Sequence, residues 1–439
     1  MDLFGTSGIR GPVGETVTAE LALSVGRALG VDRDRVVVGR DPRESGEFLR
    51  SALVAGLRES GTDVIDLGVA ATPTVGRAVG WRDADAGVSV TASHNPPEDN
   101  GLKLWQPSGQ AFDAAAREEI EERLRTGAFD PADWDGTGDR ERWDARDRHV
   151  AALRDAVDGA ALDRRVVVDV GNGAGGVTVD ALQSVGCRVE TLNAQPDGAF
   201  PGRPSEPTPE HCESLTTLVA ESDADLGIAH DGDADRMRAV AGDGTYLSGD
   251  VLLAIFARAA AEAGERVAVP VDTSLAVADY LAEADVDVEY TPVGDVYVAE
   301  AASEPGVAFG GEPSGAWIWP DRTLCPDGPL AACTVARLDA ERPLADRAAA
   351  VPTYPIRRDS VAVEDKGAVM DRVREAVTDE YDAGSVRTLD GVRVDLGDAW
   401  FLLRASGTQP LVRLTAEARA AERADAVLST ARGLLADAR

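Results

Sequence analysis

Lysine is nearly missing from this 439-residue chain: only Lys103 and Lys366 stand among its 44 basic residues, and arginine supplies the rest. Arginine stays charged at any ordinary pH, whereas lysine is a compact charge that can give up a proton. A lysine in such a chain therefore marks a place with a special demand. Cysteine is scarce too. Cys187, Cys212, Cys325 and Cys333 form no Cys-x-x-Cys pair and have no histidine at zinc-ligand spacing. That excludes a zinc finger and a disulfide scaffold and predicts buried, reduced thiols. No run approaches about 18 apolar residues, so no membrane-crossing helix is expected. The opening Met1-Asp2-Leu3-Phe4-Gly5 lacks the charged-then-apolar pattern of a secretory signal. The expectation is a cytoplasmic protein.

Acid is what the chain has in excess. Asp and Glu number 77, the formal net charge is −33, and the carboxylates are spread along the whole length. Nucleic acid and anionic membrane both need a basic patch, so neither is an expected partner. Small molecules remain, and the composition leaves a homo-oligomer open. With aromatics at only 5%, the balance predicts adaptation to molar salt, where a Debye length of about 3 Å screens self-repulsion.

The fold class read from the pattern is α/β, because strand-like and helix-like segments alternate through most of the chain. Strands are expected at 35–39, 63–67, 87–90, 165–170 and 267–271. Helices are expected at 47–59, 148–157 and 250–263. The polar, glycine-rich stretch 135–139 and the Gly242-Asp243-Gly244 turn mark boundaries. The last 90 or so residues differ, with strands at 400–403 and 412–416 before a helix at 421–435, as in a small α+β domain. The first three units read as loose repeats of one plan.

The chemistry gathers in four places. Val90-Thr91-Ala92-Ser93-His94-Asn95-Pro96-Pro97 puts a serine at a strand end, beside a histidine, where the prolines forbid helix or central sheet. Lys103 follows ten residues later. Asp231-Gly232-Asp233-Ala234-Asp235-Arg236 spaces three carboxylates to one side of an extended segment, a hard-oxygen set suited to Mg²⁺. A calcium loop is excluded, since its sixth position is Arg236 rather than Gly and its twelfth is Gly242 rather than Glu. Gly310-Gly311-Glu312-Pro313-Ser314-Gly315 offers a carboxylate and a hydroxyl to sugar hydroxyls. Arg404-Ala405-Ser406-Gly407-Thr408-Gln409 offers an arginine, hydroxyls and backbone N–H groups to a phosphate. A fifth pattern, Gly171-Asn172-Gly173-Ala174-Gly175-Gly176 with Glu190 on the next strand, fits the dinucleotide fingerprint. Such a turn needs glycine whether or not it binds anything, and it is read as structural.

In this order the four loops resemble the α-D-phosphohexomutase family over nearly the whole chain, and Phe4-Gly5-Thr6-Ser7-Gly8-Ile9-Arg10-Gly11 matches the family's opening. The resemblance implies three similar α/β/α-layered domains and a smaller C-terminal α+β domain around a central cleft, at 1–146, 147–246, 247–350 and 351–439. It implies that Ser93 carries a phosphate, and that Ser93, Asp231, Asp233 and Asp235 hold one Mg²⁺. Arg10, His94, Lys103 and Arg236 would serve catalysis. Glu312, Ser314, Arg404, Ser406, Gly407 and Thr408 would bind a sugar phosphate, with a sugar 1,6-bisphosphate as activator. The compact length and the form of the sugar loop resemble the family's glucosamine-phosphate branch; glucose and mannose phosphates are the alternatives. One departure stands out: Ala316 occupies the position where many relatives have histidine. Rival readings remain. A phosphoserine metallophosphatase would need neither Glu312 nor the Arg404 loop. A sugar-phosphate binding protein would have little use for Ser93 and three aspartates.

Overall fold

Residues 3–5, 8–159, 161–406 and 409–439 are described in a computed structural model of the protein. Three of its four sheets share one plan. In the first, Arg35–Arg40 is central, with Asp63–Val69 parallel on one side and Ala86–Val90 parallel on the other. Asp99–Trp105 then returns antiparallel beyond Ala86–Val90. Ile9–Pro12 and Arg140–Arg142 add an edge strand at either side. Arg165–Asp169, Arg188–Leu192, Leu226–His230 and Met237–Ala241 repeat the plan in the second sheet. Arg266–Pro270, Asp287–Thr291, Val307–Gly311 and Trp317–Ile318 repeat it in the third. The C-terminal sheet is antiparallel throughout: Ile356–Ala362, Leu411–Ala418, Ala399–Ala405, Val392–Asp395 and Val386–Arg387 in spatial order.

The repeat explains where the chemistry lies. In each of the first three units, the candidate loop joins the third strand of the plan to its antiparallel fourth. Residues 91–98, 231–236 and 312–316 are thus equivalent connections. A strand reversing beside a parallel sheet leaves its turn at the sheet's carboxyl end, where open α/β sheets bind ligands. The central strands are buried β-branched runs, Val36-Val37-Val38 and Val166-Val167-Val168. Thr18, Asp113, Ser248, Ser274, Asp327 and Asp365 cap helices with their side-chain oxygens, each worth about 1 kcal/mol. The second and third units share one continuous apolar core, while the first unit and the C-terminal sheet have their own.

Expected elements fall close to observed ones: the helices are Gly46–Glu59, Arg146–Ala156 and Ala421–Asp437. The helix expected over 250–263 runs Gly249–Ala260. Its alanine-rich tail favours helix, but Gly264 at φ +86° turns the chain and bonds through its N–H to Asp285 O at 2.7 Å, starting the next strand. Helices Ala114–Thr126 and Lys366–Glu380 went unread because few of their residues are buried, which weakens the apolar period. All four cysteines are buried and free. Among the described residues, no helix is long and apolar enough to cross a membrane.

Candidate active site

Ser93 follows the strand Ala86–Val90 in a left-handed conformation, φ +53°, and its hydroxyl donates to Asp231 Oδ2 at 2.6 Å. Asp231, Asp233 and Asp235 are buried, and one oxygen from each lies within 4.8 Å of the others. Their convergence differs in origin from the expectation. The segment is a turn, with Ala234 at φ +58°, rather than an extended strand. An extended run would space alternate carboxylates about 7 Å apart, so the turn is what draws them together.

Three buried carboxylates this close cannot all stay ionised without a cation. Burial and the neighbouring charges of Asp233 and Asp235 hold Asp231 well above the usual carboxylate range. Asp235 is raised as well, by burial and by Asp233. Burial also opposes the charge on Asp233, but Lys103 and the Thr72 hydroxyl more than offset it and pull its pKa down. Thr72 donates to Asp233 Oδ2 at 2.6 Å, and its N–H bonds Asp233 O at 2.8 Å. Lys103 donates to Asp235 Oδ2 and lies 3.3 Å from Asp233 Oδ2. Burial disfavours its charge, but Asp233 and Asp235 prevail and raise its pKa. Asp233 Oδ1 and Asp235 Oδ1 are buried and have no hydrogen-bond partner among the described residues. The donor set therefore fits a hard divalent cation such as Mg²⁺.

Around this cluster opens a cleft of about 520 Å³ lined by Arg10, Ser93, His94, Lys103, Asp235 and Arg236, and on its far side by Glu312, Ser314 and Arg404. That volume suits a sugar phosphate. Arg10 sits on Ile9–Pro12, paired with the strand that carries Lys103. His94 is mostly buried; burial first, then Arg236, Arg10 and Lys103, push its pKa down to about 2, so the imidazole is neutral. Arg236 donates its N–H to Asp231 Oδ1 at 3.1 Å. Glu312 accepts from Gly294 N at 2.8 Å and from the Ser314 hydroxyl at 3.0 Å. Burial and the nearby Asp295 push its carboxyl up to about 7. Ala316 bridges to Arg236 and returns its carbonyl to Glu312 N at 2.9 Å, and Trp317 beside it is buried with its indole N–H on Met237 O at 3.0 Å. Arg404 lies 3.4 Å from Asp390. Ser406 is buried and bonds Leu411 through its N–H. Gly407 and Thr408 lie outside the described residues.

Lys366, the chain's other lysine, reaches the same loop and donates to Ser406 O. Sequence reasoning also passed over Arg43, Thr72, Ser205, Asp272, Asp295 and Asp390. The last three line the cleft, and each stands alone in its own segment with no partner motif to mark it. The glycine turn at 171–176 backs the metal loop: a side chain at Gly173 would meet Gly232 O at 2.6 Å, and Ala174 N bonds that carbonyl at 2.9 Å. Its glycines are explained by this close packing.

Models of phosphoglucomutase/phosphomannomutase alpha/beta/alpha domains I, II and III match residues 1–130, 147–244 and 248–354, and the model of that family's C-terminal domain matches 360–432. The chain belongs to the phosphoglucomutase/phosphomannomutase family. This phosphohexomutase is an enzyme, an isomerase that works by phosphoryl transfer. It is 47% identical to a probable phosphoglucosamine mutase of Methanopyrus kandleri, over 96% of this chain and 95% of that one. It is 45% identical to a protein of the same description from Methanosarcina acetivorans, over 100% of both. A phosphoglucomutase/phosphomannomutase family protein of Burkholderia thailandensis superposes with a TM-score of 0.88 at 28% identity, over 100% of this chain and 97% of that one. An N-acetylphosphoglucosamine mutase of Aspergillus fumigatus, solved with GlcNAc-6P and magnesium, shares the fold with a TM-score of 0.61 at 16% identity, over 99% of this chain and 96% of that one.

Proposed function

We propose that this phosphohexomutase interconverts glucosamine 6-phosphate and glucosamine 1-phosphate through a phosphoserine at Ser93. One observation carries the reaction: the Ser93 hydroxyl lies 2.6 Å from Asp231, in a cleft where loops of all four sheets meet. Four domains, divided at 146, 246 and 350, each supply one of those loops.

A sugar hydroxyl attacks the phosphorus on Ser93 and the P–Oγ bond breaks. The hydroxyl proton passes to a base, for which the neutral imidazole of His94 is the candidate, while the Lys103 ammonium, kept charged by Asp233 and Asp235, is the candidate donor to the leaving serine oxygen. The bisphosphate then turns over, and its other phosphate returns to Ser93. Arg10, Lys103 and Arg236 surround the reacting phosphoryl group with positive charge. Arg404, with Ser406, Gly407 and Thr408, holds the phosphate that is not reacting, while Glu312 and Ser314 orient the sugar. Mg²⁺, held by Asp231, Asp233, Asp235 and the serine phosphate, would neutralise charge developing on the transferring group. A sugar 1,6-bisphosphate would load Ser93 and serve as activator. Four buried free thiols suit a reducing compartment, so the cytoplasm is the proposed location.

The choice of sugar rests on the relatives and on charge. Asp272, Asp295, Glu312 and Asp390 line the cleft, an arrangement that favours the ammonium of an amino sugar over a neutral hydroxyl. The test compares kcat/KM for glucosamine, glucose and mannose phosphates in molar KCl, with glucosamine expected to lead. A preference of about tenfold for glucose or mannose, roughly 1.4 kcal/mol of discrimination, would overturn the substrate and leave the phosphoserine chemistry intact. Release of inorganic phosphate in place of isomerisation would favour the metallophosphatase reading.

We further propose that the enzyme is adapted to high salt, from its net charge of −33. Circular dichroism across a KCl series should show the fold gaining stability up to about 2 M, where the Debye length falls to a few ångströms. Equal stability at about 50 mM, where screening is weak, would contradict this.

A further inference from the structure

Arg43 is fully buried, and all five of its N–H donors are engaged. Nε donates to Asp41 Oδ2 at 2.9 Å, and Nη1 to the carbonyl oxygens of Pro96 and, at 3.0 Å, Asp99. Nη2 donates to the carbonyl oxygens of Ser93 at 3.0 Å and Asn95 at 2.6 Å. The loop bearing Ser93 is thus wrapped around one guanidinium, with three of its carbonyl dipoles and that of Asp99, the first residue of the next strand, turned to a single cation. Asp41 balances that charge and accepts the Thr91 hydroxyl at 2.8 Å, while Thr91 Oγ1 accepts Ser93 N at 2.8 Å. Both backbone polar groups of Ser93 are therefore held by one buried network.

A second donor reaches the same carbonyl. Ser205, from the second unit, donates its hydroxyl to Ser93 O at 2.9 Å and accepts Gly232 N at 3.0 Å, joining the serine loop to the metal loop. Phe200, five residues before Ser205, covers Arg43 with its ring centroid 4.9 Å from Cζ. This restraint has a reason. Ser93 at φ +53° occupies a region that residues other than glycine avoid, and it persists only where its surroundings impose it.

We propose that Arg43 and Ser205 are positioning residues that fix the Ser93 backbone, so that Oγ stays aimed at the aspartates while the phosphoryl group leaves and returns. The proposal rests on the mutase reading above. Lysine cannot replace Arg43, because three donors cannot serve five acceptors and its head is not planar.

The test is turnover per phosphorylated Ser93, counted by intact mass, in Arg43→Lys and Ser205→Ala. A merely structural role would lower the amount of folded enzyme and leave this ratio unchanged. Arg43→Lys is expected to lose about 10²-fold in kcat per phosphoserine, and Ser205→Ala about tenfold, with KM within about twofold, as misplacement of a reacting group does. Ser205→Ala removes one hydroxyl and strands no buried charge, so it reads out even if Arg43→Lys fails to fold. Wild-type turnover per phosphoserine in folded Arg43→Lys, or in Ser205→Ala, would overturn the proposal. Absence of phosphoserine and isomerisation in the wild-type protein would strike the mutase reading itself.

Discussion

Ser93→Ala is expected to lose at least about 10⁴-fold in mutase kcat, the scale seen when a covalent nucleophile is removed. Neighbouring hydroxyls among the described residues are already engaged: that of Thr91 is spent on Asp41 and on Ser93 N, and that of Thr72 is bound to Asp233. Alanine removes only an oxygen, so the fold should persist, although the triad loses the donor that reaches Asp231. Peptide mapping of active wild-type protein should find the phosphate on Ser93. Full activity of Ser93→Ala with bisphosphate activator present would end the phosphoserine mechanism.

The next largest effect is expected at Lys103. Its ammonium is buried between Asp233 and Asp235, in a space shaped for a compact head. Arginine keeps the charge but brings a wide planar fork that cannot sit there without moving the aspartates. Lys103→Arg should therefore reduce kcat by about 10²-fold or more, the range of positioned acid–base and electrostatic groups. Lys366→Arg is the matched control. Lys366 meets carbonyl oxygens of the phosphate loop, Ser406 O and Gln409 O, which a guanidinium can also serve, so its effect should be small. Equal tolerance of both changes would refute the special role of Lys103.

Much of the site was legible along the chain because its parts are local. Pro96-Pro97 ends a strand whatever the fold, so a rigid loop at Ser93 follows from the covalent chemistry of proline. Three aspartates within five residues put hard oxygen ligands close together along the chain itself. The scarcity of lysine, with Lys103 only ten residues after Ser93, sets that residue apart from the arginines. Strands such as Arg165–Asp169, with three valines in a row, carry their own signal.

Other features exist only in three dimensions. Lys103 meets Asp235 across 132 positions, Thr72 meets Asp233 across 161, and Ser205 meets Ser93 across 112. No window of sequence contains such pairs. The turn at Ala234 and the left-handed Ser93 are also tertiary outcomes, since neither residue prefers positive φ and each is held there by its surroundings. Asp272, Asp295 and Asp390 look like any of the 77 acidic residues until the fold brings them to one cleft. The sequence by itself determined the residue types and the local turns, because these depend on covalent geometry and short-range periodicity. Which charges face one another was decided by the tertiary structure alone, because equivalent turns of separate sheets converge only once each sheet has buried its apolar faces and packed against its neighbour.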